Sequence, residues 1–246
     1  MARPRADQRL VDLGLAESRT RAQALILAGK VFADGRRIAK AGETLAADTP
    51  LEVRGQDHPW VSRGGVKLDH ALATFALSPA GRVCLDIGAS TGGFTDVLLA
   101  RGAARVHAVD VGHGQLAWKL RSDPRVVVHE RVNARHLTRV EIGEDVQALV
   151  CDASFIGLAT ILPAPLALCA PGAWAVALIK PQFEAGPGQV GKNGVVRDPA
   201  VHAAVCARVA DWWRALPGWR VIGVTESPIT GPEGNREFLL AAERPG

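Results

Sequence analysis

Residues 83–96 run Val-Cys-Leu-Asp-Ile-Gly-Ala-Ser-Thr-Gly-Gly-Phe-Thr-Asp and change character at the middle. The first five are of strand length and apolar but for Asp86, and the last four can open a helix. Between them lies a glycine-rich turn, the usual seat of a nucleotide-like cofactor in a sheet wrapped by helices. Its spacing is G-x-x-x-G-G. That is neither the G-x-G-x-x-G of dinucleotide sites nor a phosphate loop, which needs Gly-Lys followed by Ser or Thr. About 20 residues on, Asp110 ends the next apolar run, where a carboxylate can accept both hydroxyls of a ribose. A loop of this kind with such an acid suits S-adenosylmethionine, which carries a ribose and a methionine tail but no phosphate. The candidate cofactor residues are Asp86, Gly88, Ala89, Ser90, Thr91, Gly92, Gly93, Phe94, Asp110, Val111 and Asp152. The alternative is an ordinary glycine-rich turn with Asp110 as a solvated strand-end acid.

Working outward, strands are expected at 83–88, 105–111, 125–129, 147–153, 174–180, 219–227 and 236–242, and helices at 66–76, 93–101, 115–121, 154–169 and 199–215. Strands alternating with helices predict an α/β fold, a doubly wound and mostly parallel sheet. The final two strands have no helix between them and are expected as an antiparallel pair at one side of the sheet. Upstream the rhythm differs. Ser18 reads as the N-cap of a helix over 19–28, Gly29 as its stop, and Asp34-Gly35 as a hairpin turn between 30–33 and 36–39. Residues 9–15 supply a weak turn or two, and 51–54 one more strand. The Pro- and Gly-containing stretch 56–65 is the expected domain boundary.

Composition narrows the class. The chain has 246 residues, 48% hydrophobic, with a net charge of +4 that by itself says little about partners. Its cysteines, Cys84, Cys151, Cys169 and Cys206, are scattered without a C-x-x-C pair, which argues against a disulfide scaffold or zinc ribbon and for a reducing cytosol. They read as packing residues, the first two in strands and the last two on helices. The histidines show no metal-ligand spacing, and no metal is expected. The uncharged run 153–179 is long enough for a membrane span, but its prolines and glycines favour a helix, a break and a buried strand. The N-terminus has no apolar signal-peptide core.

Two further groupings carry chemistry. Asp152 and Lys180 each end an apolar strand, at the sheet edge where ligands bind in this fold class. Lys67 lies on the helix leading into the domain, and Glu237 follows a Gly-Pro-Glu-Gly-Asn turn. Methyl transfer to a hydroxyl needs a base and in-line approach to the sulfonium methyl. A lysine can be that base where burial and a second ammonium disfavour its charged form, while carboxylates orient it. Taken singly, each lysine reads as a solvated charge, except Lys180, which an uncharged run precedes. The second grouping is basic. Arg19, Arg21, Lys30, Arg36, Arg37 and Lys40 against Asp34 give +5 within 18–40, more than the whole chain's net charge. Such a helix and turn attract phosphates, unless they are simply a solubilising face.

These residues also resemble known families. The stretch 18–42, SRTRAQALILAGKVFADGRRIAKAG, resembles the RNA-binding domain first described in ribosomal protein S-four. The motifs WVSRGGVKL (60–68), DIGASTGGFTD (86–96), VDVGHGQL (109–116), CDASFIGL (151–158), KPQFE (180–184) and GPEGNREF (231–238) resemble FtsJ-type RNA 2′-O-ribose methyltransferases. The combination is similar to the TlyA family, some of whose members are called haemolysins.

The resemblance implies a Rossmann-like, S-adenosylmethionine-dependent methyltransferase domain over 66–246, an RNA-binding domain over 1–57 and a linker over 58–65. It also implies a catalytic set of Lys67, Asp152, Lys180 and Glu237, an adenine contact at Asn133, and an added RNA contact at Arg63. The implied reaction is methylation of cytidine 2′-hydroxyls in ribosomal RNA, free or in a subunit, in the cytoplasm and with no membrane partner. Shorter members act on large-subunit RNA, which makes that the expected target. The chain departs from the pattern at His58, where some members have arginine before x-Trp-Val. Two other functions compete: an rRNA-binding assembly factor that uses the cofactor only structurally, and a membrane-active haemolysin.

Overall fold

The computed structural model describes residues 4–16, 18–54, 58–186, 188–231 and 234–246. Helices α1 (Ala6–Asp12) and α2 (Arg19–Leu27) precede three short strands, β1 (Val31–Ala33), β2 (Arg36–Arg37) and β3 (Leu51–Val53), in the order β2-β1-β3. The Ser18 hydroxyl accepts the Arg21 N–H at 3.2 Å, a cap worth about 1 kcal/mol. Asp34 and Gly35 both have positive φ, +48° and +77°, the turn that matches strand twist in a tight hairpin. Leu10, Ala22, Ile26, Val31 and Ile38 form the core of this part. Helix α1 starts earlier than its apolar pattern indicates. Asp7, in its first turn, complements the helix dipole, and Gly14, at φ +68°, reverses the chain soon after its end.

The second part is a seven-stranded sheet: β4 (Val83–Ile87), β5 (Arg105–Asp110), β6 (Val126–Glu130), β7 (Val146–Cys151), β8 (Cys169–Ile179), β9 (Arg220–Glu226) and β10 (Phe238–Glu243), in the order β6-β5-β4-β7-β8-β10-β9. The first five in that order pair in parallel, and β10 runs antiparallel between β8 and β9, as the missing helix between the last two strands indicates. Side chains alternate across the sheet with period two. Cys84, Val150 and Val176 face α3 (Gly64–Thr74), α4 (Gly93–Ala100) and α5 (Trp118–Arg121), while Leu85, Cys151 and Ala177 join the opposite core. That core includes α7 (Leu158–Ile161), α8 (Pro163–Ala167) and α10 (Pro199–Arg214). Helices α6 (Arg139–Ile142) and α9 (Pro181–Glu184) are single turns.

Two expectations are corrected. The helix expected over 154–169 is two short ones, because Pro163 has no N–H to continue α7 and instead starts α8. Consequently Cys169 opens β8 and is not on a helix; Cys84, Cys151 and Cys206 lie where expected. Trp213 is fully buried in the sheet-facing core, edge-on to Trp212 and Trp219. Among the described residues no helix is long and apolar enough to cross a membrane. The expected boundary at 57/58 falls partly outside the described residues, as does the middle of the 231–235 turn.

Candidate active site

The strand order reverses between β4 and β7, so the connections after β4 and β7 leave in opposite directions and open a crevice at their carboxyl ends. Gly88 turns the chain there at φ +79°. A Cβ on it would stand 2.9 Å from the Ala153 backbone, so only glycine lets the two loops approach this closely. Asp110 fixes the rim. Its Oδ2 accepts the Ser90 N–H at 2.8 Å and its Oδ1 the Gly112 N–H at 2.7 Å. Beneath the loop, Asp86 is fully buried. Its Oδ2 accepts the Thr95 hydroxyl at 2.7 Å, while Oδ1 has no partner among the described residues. Burial pushes this carboxyl up to about 7, against the opposing hydrogen bond from Thr95.

A cavity of about 440 Å³ fills the crevice, a size typical of small-molecule sites. Gly88, Ser90, Asp110, Val111, Asn133 and Asp152 are among its lining residues. The Asn133 Oδ1 accepts the Arg135 N–H at 3.1 Å, capping the single turn Ala134–His136. A second cavity of about 220 Å³ adjoins it, walled by Ala89, Ser90, Thr91, Gly93 and Phe94 of the loop. Asp86 and Gly92 line neither cavity. The first lies under the loop, and the second packs on α5, where a Cβ would meet Leu120 at 2.3 Å.

Lys67, Asp152, Lys180 and Glu237 converge on the smaller cavity from α3, the end of β7, the end of β8 and the start of β10. Lys67 Nζ donates to Glu237 Oε2 at 2.6 Å. Lys180 Nζ donates to Ser154 Oγ at 2.8 Å and to the Asp152 carbonyl at 3.0 Å, and lies 2.7 Å from Asp152 Oδ1 as an ion pair. The four therefore form two separate lysine–carboxylate pairs. Each ammonium has a carboxylate beside it, and both lysines face the same smaller cavity. Close packing holds the group. A Cβ on Gly64 would stand 3.5 Å from Asp152 Oδ2, one on Gly93 would strike Ser62 Oγ at 2.3 Å, and one on Gly231 would strike Glu237 Oε1 at 2.6 Å.

Residues 60–244 match the FtsJ-like methyltransferase family, and residues 4–49 match the S4 domain. A relative from Mycobacterium tuberculosis named "16S/23S rRNA (cytidine-2'-O)-methyltransferase TlyA" is 54% identical over 97% of this chain and 89% of its own length. The chain belongs to the TlyA family of FtsJ-like methyltransferases. Another relative, from Bacillus subtilis and named "Putative rRNA methyltransferase YqxC", is 49% identical over 98% of this chain and 86% of its own. A solved structure described as "Putative hemolysin from Streptococcus thermophilus" superposes with a TM-score of 0.77 at 43% identity, covering 100% of this chain and 90% of that one.

In this TlyA-family chain the basic residues are partly spent internally. Arg19 Nη2 donates to Asp7 Oδ2 at 3.1 Å, and Arg36 pairs with Glu43. The Arg37 guanidinium occupies the space a Cβ on Gly29 would take, and Arg63 Nη2 donates to the Thr230 carbonyl at 3.0 Å beside the smaller cavity. Arg21 and Lys40 are exposed, and Lys30 is half-buried just before β1. The count of +5 over 18–40 overstated the local excess, because Asp7 and Glu43 lie outside that window. Asp7 also gathers Arg5 and Gln23, and the hydrogen bond from Arg5 holds its carboxyl well below the usual range. Sequence reasoning also passed over Ser154 and Phe155. Both line the larger cavity, and Phe155 is 88% exposed at φ +65°. Both stand in the CDASFIGL motif (151–158), from which only Asp152 was singled out.

Proposed function

We propose that the protein transfers the methyl of S-adenosylmethionine to the 2′-hydroxyl of a cytidine in ribosomal RNA, acting in the cytoplasm. The observation carrying this reading is the junction of the two cavities at Asp152, which lines both and pairs with Lys180. The larger cavity sets Asp110 and Asp152 against one guanidinium, Arg135. That lining suits a ligand with net positive charge and offers little to a pyrophosphate. Each Asp110 oxygen has lone-pair capacity beyond its backbone N–H, enough to accept ribose hydroxyls. Asn133 spends Oδ1 on its own turn, which leaves its amide N–H for a ring nitrogen. When bound, the sulfonium supplies an electrophilic methyl.

On the other side, Lys180 takes the proton of the 2′-hydroxyl as its oxygen attacks. Asp152 fixes Lys180 Nζ, and the Lys67–Glu237 pair orients the ribose. Residues 1–57, with Arg19, Arg21, Lys30, Arg36, Arg37 and Lys40, and Arg63 in the linker 58–65, bring the RNA to the catalytic part, 66–246. Tritium carried from labelled S-adenosylmethionine into rRNA by the wild type, and not by Lys180→Ala, is the expected result. No incorporation by the wild type would favour a binding-only assembly factor. Mapping the methylated ribose in both rRNAs decides the expected large-subunit preference.

A further inference from the structure

Among the described residues, three oxygens lie within 3.0 Å of Lys180 Nζ: two belong to Asp152 and one is the Ser154 hydroxyl. They are not equivalent. A carboxylate and a carbonyl can only accept hydrogen bonds, whereas a hydroxyl can accept or donate. An ammonium has three N–H donors and no lone pair; the neutral amine has two donors and one lone pair. A base that gains a proton during the reaction is therefore well served, whenever substrate is away, by a neighbour able to reverse its hydrogen-bond direction. Asp152 cannot be that neighbour. Ser154 can, and it lines both the larger and the smaller cavity, beside the place where methyl donor and acceptor meet. It is also exposed, so an incoming hydroxyl can share its position.

We propose that Ser154 is a positioning residue for Lys180. Its hydroxyl donates to the amine lone pair before substrate arrives, yields that place to the ribose 2′-hydroxyl, and accepts an N–H once Lys180 is protonated. In the step itself the 2′-O–H bond breaks and its proton goes to Nζ. The oxygen forms a bond to the methyl carbon, and the carbon–sulfur bond breaks with its electron pair kept by sulfur. Ser154 exchanges no atoms; it holds the lone pair until the ribose hydroxyl takes that place, and takes the third N–H afterwards. The inference rests on the reading of Lys180 as the base.

Three variants test it by steady-state methyl transfer to rRNA at saturating methyl donor: Ser154→Ala, Ser154→Thr and Lys180→Ala. The expected result is a kcat lowered about tenfold or more in Ser154→Ala, the size of losing a hydrogen bond to a charged group, with the KM for S-adenosylmethionine within about threefold of wild type. Ser154→Thr, which keeps the hydroxyl, should restore kcat to within a few-fold. A kcat for Ser154→Ala within twofold of wild type, a Thr variant as slow as the Ala variant, or a loss confined to KM would each overturn the inference. Lys180→Ala separates the two levels. If it turns over normally, the base assignment falls and the inference with it. If it is inactive while Ser154→Ala is normal, the inference alone falls.

Discussion

The Lys67–Glu237 pair is sealed, with side-chain exposures of 9% and 1%, whereas Lys180, equally buried, faces an Asp152 that is 21% exposed. The bonds are nearly the same length, 2.6 and 2.7 Å, so the difference lies in what surrounds them. Glu237 and Lys67 are joined from opposite ends of the domain and seal one wall of the smaller cavity. Asp152 borders both cavities and its lysine also touches a hydroxyl. The sealed pair suits a fixed frame, and the open one suits a group whose protonation changes during turnover.

The sharpest way to break this contrast is kinetic. Lys180→Ala should lower methyl transfer about 10²–10⁴-fold, the range for loss of a general base, while leaving binding of S-adenosylmethionine nearly unchanged. A turnover within tenfold of wild type would remove the distinction between the pairs. The next effect is on stability. Lys67→Met strands a carboxylate that is 1% exposed, and breaking a buried pair costs about 3–5 kcal/mol in urea unfolding. The double variant Lys67→Met/Glu237→Gln should recover most of that loss. Lys180→Met should cost about half as much or less, because Asp152 keeps contact with solvent.

The same contrast shows what was legible in the sequence. The sheet, its antiparallel strand and the convergence of Lys67, Asp152, Lys180 and Glu237 follow from residues placed at strand ends and in recognisable motifs. Which lysine meets which carboxylate does not, since Lys67 and Glu237 are 170 residues apart. Ser154 and Phe155 stood in a recognised motif, but a residue after a strand carries no periodic signal to say that it faces a cavity. The prolines of 153–179 signalled a break, but the apolar run, which suits helix and strand alike, did not fix it at Pro163. In the N-terminal part, charge counted in a window missed Asp7 and Glu43, which fold back from beyond its ends.

Asp86 offers an intermediate test, a buried carboxylate with no cation beside it among the described residues. Its folded-state value of about 7 lies above the ordinary 3.8 because burial disfavours its charged form. The folded state therefore holds this proton more tightly than the unfolded chain. The stability gained is fully present below about pH 4 and is lost as pH rises through about 7, by at most about 1.4 kcal/mol per pH unit. Urea midpoints from pH 5 to 8 should fall in the wild type relative to Asp86→Asn, whose amide does not titrate in that range. Parallel curves for the two proteins would place Asp86 in a wetter setting than the one described.

The smallest stability effect belongs to the pair furthest from the site. Arg36 is 63% exposed, and its contact with Glu43 lies on the surface. Exposed ion pairs contribute about 0–1 kcal/mol, so Arg36→Ala should move the urea midpoint little. If Arg36 meets RNA phosphate, the same change should weaken rRNA binding similarly across sequences and reduce the slope of log affinity against log salt by about 1. Glu43→Gln separates the two roles, since it frees the guanidinium without removing it and should strengthen binding at low salt. An unchanged salt slope in Arg36→Ala would remove this arginine from the RNA-contact set. Its pairing with Glu43 would then be a surface contact of little energy, unlike the sealed Lys67 pair.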